Sequence, residues 1–118
     1  MSGRPITYQV VIDVEFPIRL RVGRLGEFIF PAGRYVYTGS ARRSMEARLR
    51  RHFAAAKRLH WHIDYLLAAP GVRPLEAKLS SRSECAVNRA LHGEIIAPGF
   101  GASDCRAGCG SHLKYLGR

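Results

Sequence analysis

Gly33-Arg34-Tyr35-Val36-Tyr37-Thr38-Gly39-Ser40-Ala41, followed three residues later by Met45-Glu46-Ala47-Arg48-Leu49-Arg50-Arg51-His52, is the stretch whose reading decides the fold. Arg34 to Thr38 is dense in aromatic and β-branched side chains, which suit a pleated, half-buried surface and predict a strand. Gly39-Ser40 breaks that strand, and Ser44 is placed to cap a helix over residues 44 to 58. Along that helix Met45, Leu49, Phe53 and Ala56 recur at helical spacing and form the expected core side. Arg48, Arg51, His52 and Ala55 fall on a neighbouring stripe, where Arg48 and His52, four residues apart, can address one site.

Working outward, residues 6 to 14 read as a buried strand ended by Pro17, and 18 to 22 alternate apolar and basic residues like a half-exposed strand. Gly23 and Gly26 bracket a tight turn before a short strand at Phe28 to Phe30, so the first forty residues are expected to run as an antiparallel meander. Downstream, a short helix over 60 to 68 ends at Pro70-Gly71, and Val72 to Leu79 reads as a strand weakened by Pro74. Ser83 caps a third helix from about 84 to 92, and His112 to Leu116 forms a last strand. The order predicts an α/β or α+β fold, a small mixed or antiparallel sheet flanked by helices. At 118 residues, with no linker or repeat, a single domain over 1–118 is expected.

Nineteen Lys and Arg against nine Asp and Glu give a net charge of +10. The excess is uneven: residues 1 to 60 carry +8 and residues 61 to 118 carry +2. Arg42, Arg43, Arg48, Arg50, Arg51, Lys57 and Arg58 crowd one segment against Glu46 alone. A field of that sign attracts a polyanion, so DNA is the expected partner, with RNA as the related alternative. Arg far outnumbers Lys, which suits bidentate phosphate contacts. Three cysteines, Cys85, Cys105 and Cys109, do not make a secreted disulfide framework. The N-terminus lacks a long apolar run and no stretch is apolar enough to span a bilayer, so no membrane partner and a cytoplasmic location are expected.

Hydrolysis of a phosphodiester needs a deprotonated water, a cation for the transition state and usually a divalent metal at the leaving oxygen. Tyr8, Tyr37, Arg48, His52 and Glu84 are suitable types, with Glu76 a rival carboxylate. In His60-Trp61-His62-Ile63-Asp64, helical spacing offers a His60–Asp64 pair that fixes the helix, as an alternative to direct chemistry. Trp61 reads as core in preference to a base-stacking platform. Cys105, Cys109 and His112 make a Cys-x3-Cys-x2-His pattern, with Asp104, Cys85, His92 or water as a fourth ligand; Gly108 and Gly110 serve a tight turn as readily, and this spacing argues against zinc. The Gly99-Phe100-Gly101-Ala102-Ser103-Asp104 loop permits close backbone approach, and Ser103, Asp104, Ser111 and His112 offer polar contacts to a nucleotide.

The segment from Gly33 to His52 resembles the second half of the GIY-YIG nuclease signature. With His60 to Leu67, Glu84-Cys85, Gly99 to Cys105 and Ser111-His112-Leu113, the chain resembles the small GIY-YIG-like family labelled DUF123, members of which also occur fused to an archaeal endonuclease III. In that resemblance Tyr37-Thr38-Gly39 stands at the Tyr-Ile-Gly tripeptide and Ile6-Thr7-Tyr8 at Gly-Ile-Tyr. It implies Tyr37, then Tyr8, as positioners or bases for water, Arg48 on the phosphate, His52 in proton transfer, and Glu84 as ligand of one Mg2+ or Mn2+. The implied activity is a DNA endonuclease or nickase, with a link to repair and to a repair-enzyme partner. The alternative is an inactive nucleic-acid-binding module of the same fold. The first Gly is absent here and the tyrosines stand 29 residues apart, wider than the motif, which implies an inserted hairpin over roughly 18 to 30. Its Arg19, Arg21 and Arg24 would join Arg42, Arg43, Arg51, Arg58, Ser103 and His112 in holding nucleic acid.

Overall fold

A computed structural model describes residues 4–41, 43–54, 59–102 and 108–118. The chain is α+β; among the described residues it has a four-stranded sheet in the order β5-β1-β4-β6, a separate two-stranded ribbon β2-β3, and three helices. The strands are β1 (Thr7–Val14), β2 (Ile18–Val22), β3 (Gly26–Phe30), β4 (Gly33–Ser40), β5 (Val72–Ser80) and β6 (Leu113–Gly117). The helices are α1 (Met45–Phe53), α2 (His62–Leu67) and α3 (Glu84–Ala90). Each of the three pairings of the larger sheet is antiparallel.

The first forty residues do not form the expected meander. β1 pairs directly with β4, from Thr7 opposite Ser40 to Val14 opposite Gly33, and β2-β3 leaves the sheet as an inserted hairpin. Composition explains the choice. Tyr8, Val10, Ile12 and Val14 fill one face of β1 and are all buried, which suits a central strand. The alternation of Ile18, Arg19, Leu20 and Arg21 leaves every second position outside, as a ribbon covered on one side requires. The hairpin's inward residues Val22 and Phe30 join the core, and its turn lies on Tyr65 of α2, within 3.4 Å of where a Gly23 side chain would begin.

β5 is an edge strand, and this is how it tolerates Pro74. The register against β1 shifts between Val11 and Ile12, which face Glu76 and Pro74, so the bulge at Leu75 absorbs the missing donor. Ser83 caps α3 as expected, accepting the Ala86 N–H at 3.2 Å. Ser44 does not cap α1 with its side chain; it adopts φ 55°, and only its carbonyl engages the helix, through the Arg48 N–H. α1 is also shorter than expected, ending at Phe53 with Ala54 extended.

The buried side of α1 is only part of the apolar stripe: Met45 and Leu49 pack against the core as expected, but Phe53 does not. Phe53 is exposed, Met45 and Leu49 are half-buried, and His52 is fully buried; Ala55 and Ala56 lie outside the described residues. A helix that turns a polar stripe inward needs partners there, and Arg51 finds one in Asp64 of α2, Nη2 to Oδ2 at 2.5 Å. The same Oδ2 accepts the backbone N–H groups of His60 and Trp61, at 2.9 and 2.8 Å. The anticipated His60–Asp64 link is therefore made by the His60 backbone, not its ring. Complete burial of Asp64 opposes its ionisation, but the Trp61 N–H, the Arg51 guanidinium and the His60 N–H together hold its carboxyl below the usual range.

Because the folded-state value is depressed, the stability Asp64 contributes is present above its unfolded value of about 4 and lost as pH falls through the lower folded value. Asp64→Asn is expected to cost roughly 3 kcal/mol near neutrality, since it strands Arg51 and two backbone donors. Urea unfolding of both proteins at pH 7 and pH 3 checks this: the gap narrows in acid, and a gap independent of pH would contradict the charge-based account.

Candidate functional site

The register of β1 against β4 places Tyr8 opposite Gly39 and Val10 opposite Tyr37, so the two phenols lie diagonally on one sheet face, ring centroids 6.3 Å apart. Gly39 makes this possible by lacking a side chain. A Cβ there would lie 2.5 Å from the Tyr8 hydroxyl and 3.1 Å from the Tyr37 ring. His52 reaches down from α1 behind them, its Nε2 2.7 Å from the Tyr8 hydroxyl and its ring 6.0 Å from that of Tyr37. With His52 carrying its proton on Nδ1, the Tyr8 phenol donates to Nε2.

In front of the phenols is a cleft of about 270 Å3, lined by Tyr8, Tyr37, Ser40, Arg48, His60, Trp61, His62, Glu84, Gly101 and His112. Arg48, one turn before His52, donates from Nη1 to the Ser40 carbonyl at 2.6 Å. The Ser40 hydroxyl donates to Glu84 Oε1 at 3.4 Å, and Glu84 Oε2 lies 3.0 Å from His112 Nδ1. Glu84 comes from the first turn of α3, which is tied to the end of the sheet by the Thr7 hydroxyl on the Arg82 carbonyl. The guanidinium carbons of Arg48 and Arg51 each lie 4.7 Å from the Trp61 ring centroid, a cation–π arrangement that orients Arg48 at the rim. Trp61 is thus half-buried, packed against the core as expected while also forming a wall of the cleft.

Burial dominates the electrostatics of the phenols. It pushes the Tyr8 hydroxyl up to about 12, against the opposing pull of Arg48. Tyr37 is driven higher by its burial, with Tyr8 and Glu84 adding to the effect. Both are therefore protonated near neutrality. Burial lowers the pKa of His62, whose Nδ1 accepts the Gly101 N–H at 2.9 Å. Gly101 has φ +65°, and a Cβ on it would meet the Tyr37 ring at 2.8 Å, so the loop after Gly99 closes directly on the phenols.

Four of the five hydrolytic candidates, Tyr8, Tyr37, Arg48 and Glu84, line one cleft, and His52 stands directly behind Tyr8. The rival Glu76 is exposed on β5 beside Lys78. Of the residues expected to hold nucleic acid, His112 lines the cleft but is 2% exposed and faces Glu84. Arg51 is engaged by Asp64 and Trp61. Arg43 is exposed, and Arg19 and Arg21 are exposed on the hairpin and do not line the cleft, Arg19 within 3.9 Å of Glu27. Arg42, Arg58 and Ser103 lie outside the described residues. Sequence reasoning missed Ser40, which links Arg48 to Glu84; its position directly after Gly39 was the available signal. The donor set suits a hydrated Mg2+ or Mn2+, which needs only one or two carboxylates and keeps its waters, since Glu84 is part-exposed at the cleft wall.

Gly39→Ala is expected to force the Tyr8 phenol off His52 at a cost of about 1–3 kcal/mol, the usual penalty for overpacking. Denaturation midpoints and the near-ultraviolet tyrosine signal measure it, and an unchanged value of both would contradict the close approach described. No curated protein and no solved structure matches the chain. Residues 7–118 match the family described as domain of unknown function DUF123. With nearly its whole length covered, the chain belongs to the DUF123 family.

Proposed function

We propose that this chain is a divalent-metal-dependent endonuclease of the GIY-YIG superfamily that nicks DNA. The observation that carries the reading is convergence: Tyr8 and Tyr37 from two strands, Arg48 from α1 and Glu84 from α3 meet at one cleft of a basic protein. A cleft of about 270 Å3 is at the small end of ligand pockets and suits a phosphate with its adjoining sugar, so backbone and shape recognition is the expected mode. Repair-related branched or damaged DNA is the substrate class such recognition favours, since no base-reading motif supports sequence readout.

Arg48 is the cation at the mouth, placed to bind a phosphate oxygen and to stabilise charge as it grows in the transition state. Glu84 would hold the Mg2+ or Mn2+, which supplies charge neutralisation at the phosphate and leaving oxygen when bound. Of the two phenols, Tyr8 has a proton acceptor in place. As it takes a proton from the attacking water, its own proton passes to His52 Nε2, so the buried phenol never has to become a free phenolate. Tyr37, with its pKa raised further, orients the water as a donor or acceptor. His62 and His60 complete the polar wall. A cytoplasmic location and a repair-enzyme partner accord with this activity, and no described helix is long and apolar enough to cross a membrane.

The test is conversion of supercoiled plasmid to open circles with magnesium. Arg48→Ala and Glu84→Ala are each expected to slow nicking at least about 100-fold, and Tyr8→Phe to slow it by a similar factor and more than Tyr37→Phe does. DNA affinity should fall steeply with salt, as phosphate contacts require. Salt-sensitive binding by a wild type that cuts no single-stranded, duplex, branched or damaged substrate would replace this reading with an inactive binding module.

A further inference from the structure

The sequence spacing places Cys105, Cys109 and His112 together, whereas the fold introduces a donor from a distant element. Cys85, in the first turn of α3, lies with Cys109 and His112 so that one ligand atom from each falls within 4.8 Å of the others. We propose that Cys85, Cys109 and His112 form a zinc site that ties the segment before β6 to α3. Two thiolates and an imidazole are soft and borderline donors, which select zinc over magnesium. Zinc bonds of roughly 2.3 Å to sulfur and 2.0 Å to nitrogen set donors some 3.5–3.8 Å apart in a tetrahedron, so closure takes a side-chain movement of about 1 Å.

The surroundings are built for such a site. His112 is 2% exposed and its backbone is pinned on both sides, its N–H to the Phe100 carbonyl at 2.8 Å and its carbonyl to the Thr38 N–H at 2.9 Å. Its Nδ1 meets Glu84 Oε2 at 3.0 Å, so the ion would be bound through Nε2, giving the carboxylate–histidine–metal arrangement common around bound zinc. Gly108 and Gly110, at φ +73° and +81°, shape the turn that carries Cys109, and Gly110 is fixed by accepting the Gly99 N–H. A pocket of about 240 Å3, lined in part by Ser83, Glu84 and Cys85, lies beside one of the three donors. Three protein donors leave one tetrahedral position for water or a fourth residue. Zinc here is separate from the ion expected on the cleft side of Glu84, and its presence does not depend on cleavage of DNA.

The full chain, purified under reducing conditions, is expected to carry one zinc per molecule by elemental analysis. Replacing it with Co2+ should produce thiolate-to-cobalt charge-transfer and tetrahedral ligand-field bands. Cys85→Ser and Cys109→Ser should each weaken the charge-transfer band, and Glu84→Gln should weaken metal affinity about 10- to 100-fold. The cobalt spectrum of the unaltered chain decides the matter even where a variant fails to fold. A reduced chain that binds neither Zn2+ nor Co2+, cobalt bands insensitive to Cys85→Ser, or a Cys85–Cys109 disulfide found by peptide mass in the protein isolated without reductant would overturn the proposal.

Discussion

The structure depends most on the antiparallel pairing of β1 with β4 at the point where Tyr8 faces Gly39. That register, with the two-residue period of a strand, puts Tyr8 and Tyr37 on the same face. Only the absence of a side chain at Gly39 lets the Tyr8 phenol lie across the neighbouring strand and present its hydroxyl to His52. Once that ring is in place, α1 can bury a histidine where an apolar residue would be expected, because the imidazole has a phenol to accept from. The hairpin β2-β3 leaves the sheet between these two strands without disturbing their register, which is why a wide separation in sequence still yields adjacent tyrosines.

A second constraint follows from the first. Turning His52 inward also turns Arg48 and Arg51 toward α2, since residues three and four apart share a helix face. Two guanidinium groups against one tryptophan would repel each other without a counter-charge. Asp64 supplies it for Arg51 alone, at full burial. Arg48 is left bound to a neutral carbonyl, that of Ser40, so its charge is uncompensated at the cleft apart from Glu84 across Ser40. One arginine is thereby tied into the fold and its neighbour one turn away faces the cleft, although composition treats them alike.

Most elements were legible in the sequence, because strands such as 7–14 and the cap at Ser83 follow from local pattern and side-chain chemistry. The β2-β3 hairpin was legible too, but the pairing of β1 with β4 around it followed only from the resemblance and not from local pattern. Nearest-neighbour pairing is the simple expectation for short strands, and it fails here because the hairpin's alternating arginines suit a one-sided ribbon better than a sheet interior. The core face of α1, legible at Met45 and Leu49, departs from pattern at its end: hydrophobicity scores Phe53 above His52, yet burial follows hydrogen-bond satisfaction as well as apolar area. Of the site, Tyr8, Tyr37, Arg48, His52 and Glu84 were named from the sequence, whereas Ser40, the wall made by Trp61 and the approach of Cys85 to Cys109 required the third dimension.

The protonation of the phenols bears on what kind of chemistry this cleft can perform. A buried tyrosine with a pKa near 12 holds very little phenolate at neutral pH, so a mechanism that begins with a free tyrosinate would forfeit several powers of ten in rate. Passing the proton on to an adjacent imidazole removes that penalty, because the phenol gives up one proton as it receives another. Tyr8 has such an acceptor at 2.7 Å. Tyr37 lies against Phe100 and closes on Gly101, surroundings that keep it a neutral hydrogen-bonding group. The two tyrosines, equivalent in sequence, are therefore made unequal by what stands behind them: an imidazole for one, a phenyl ring and a glycine backbone for the other.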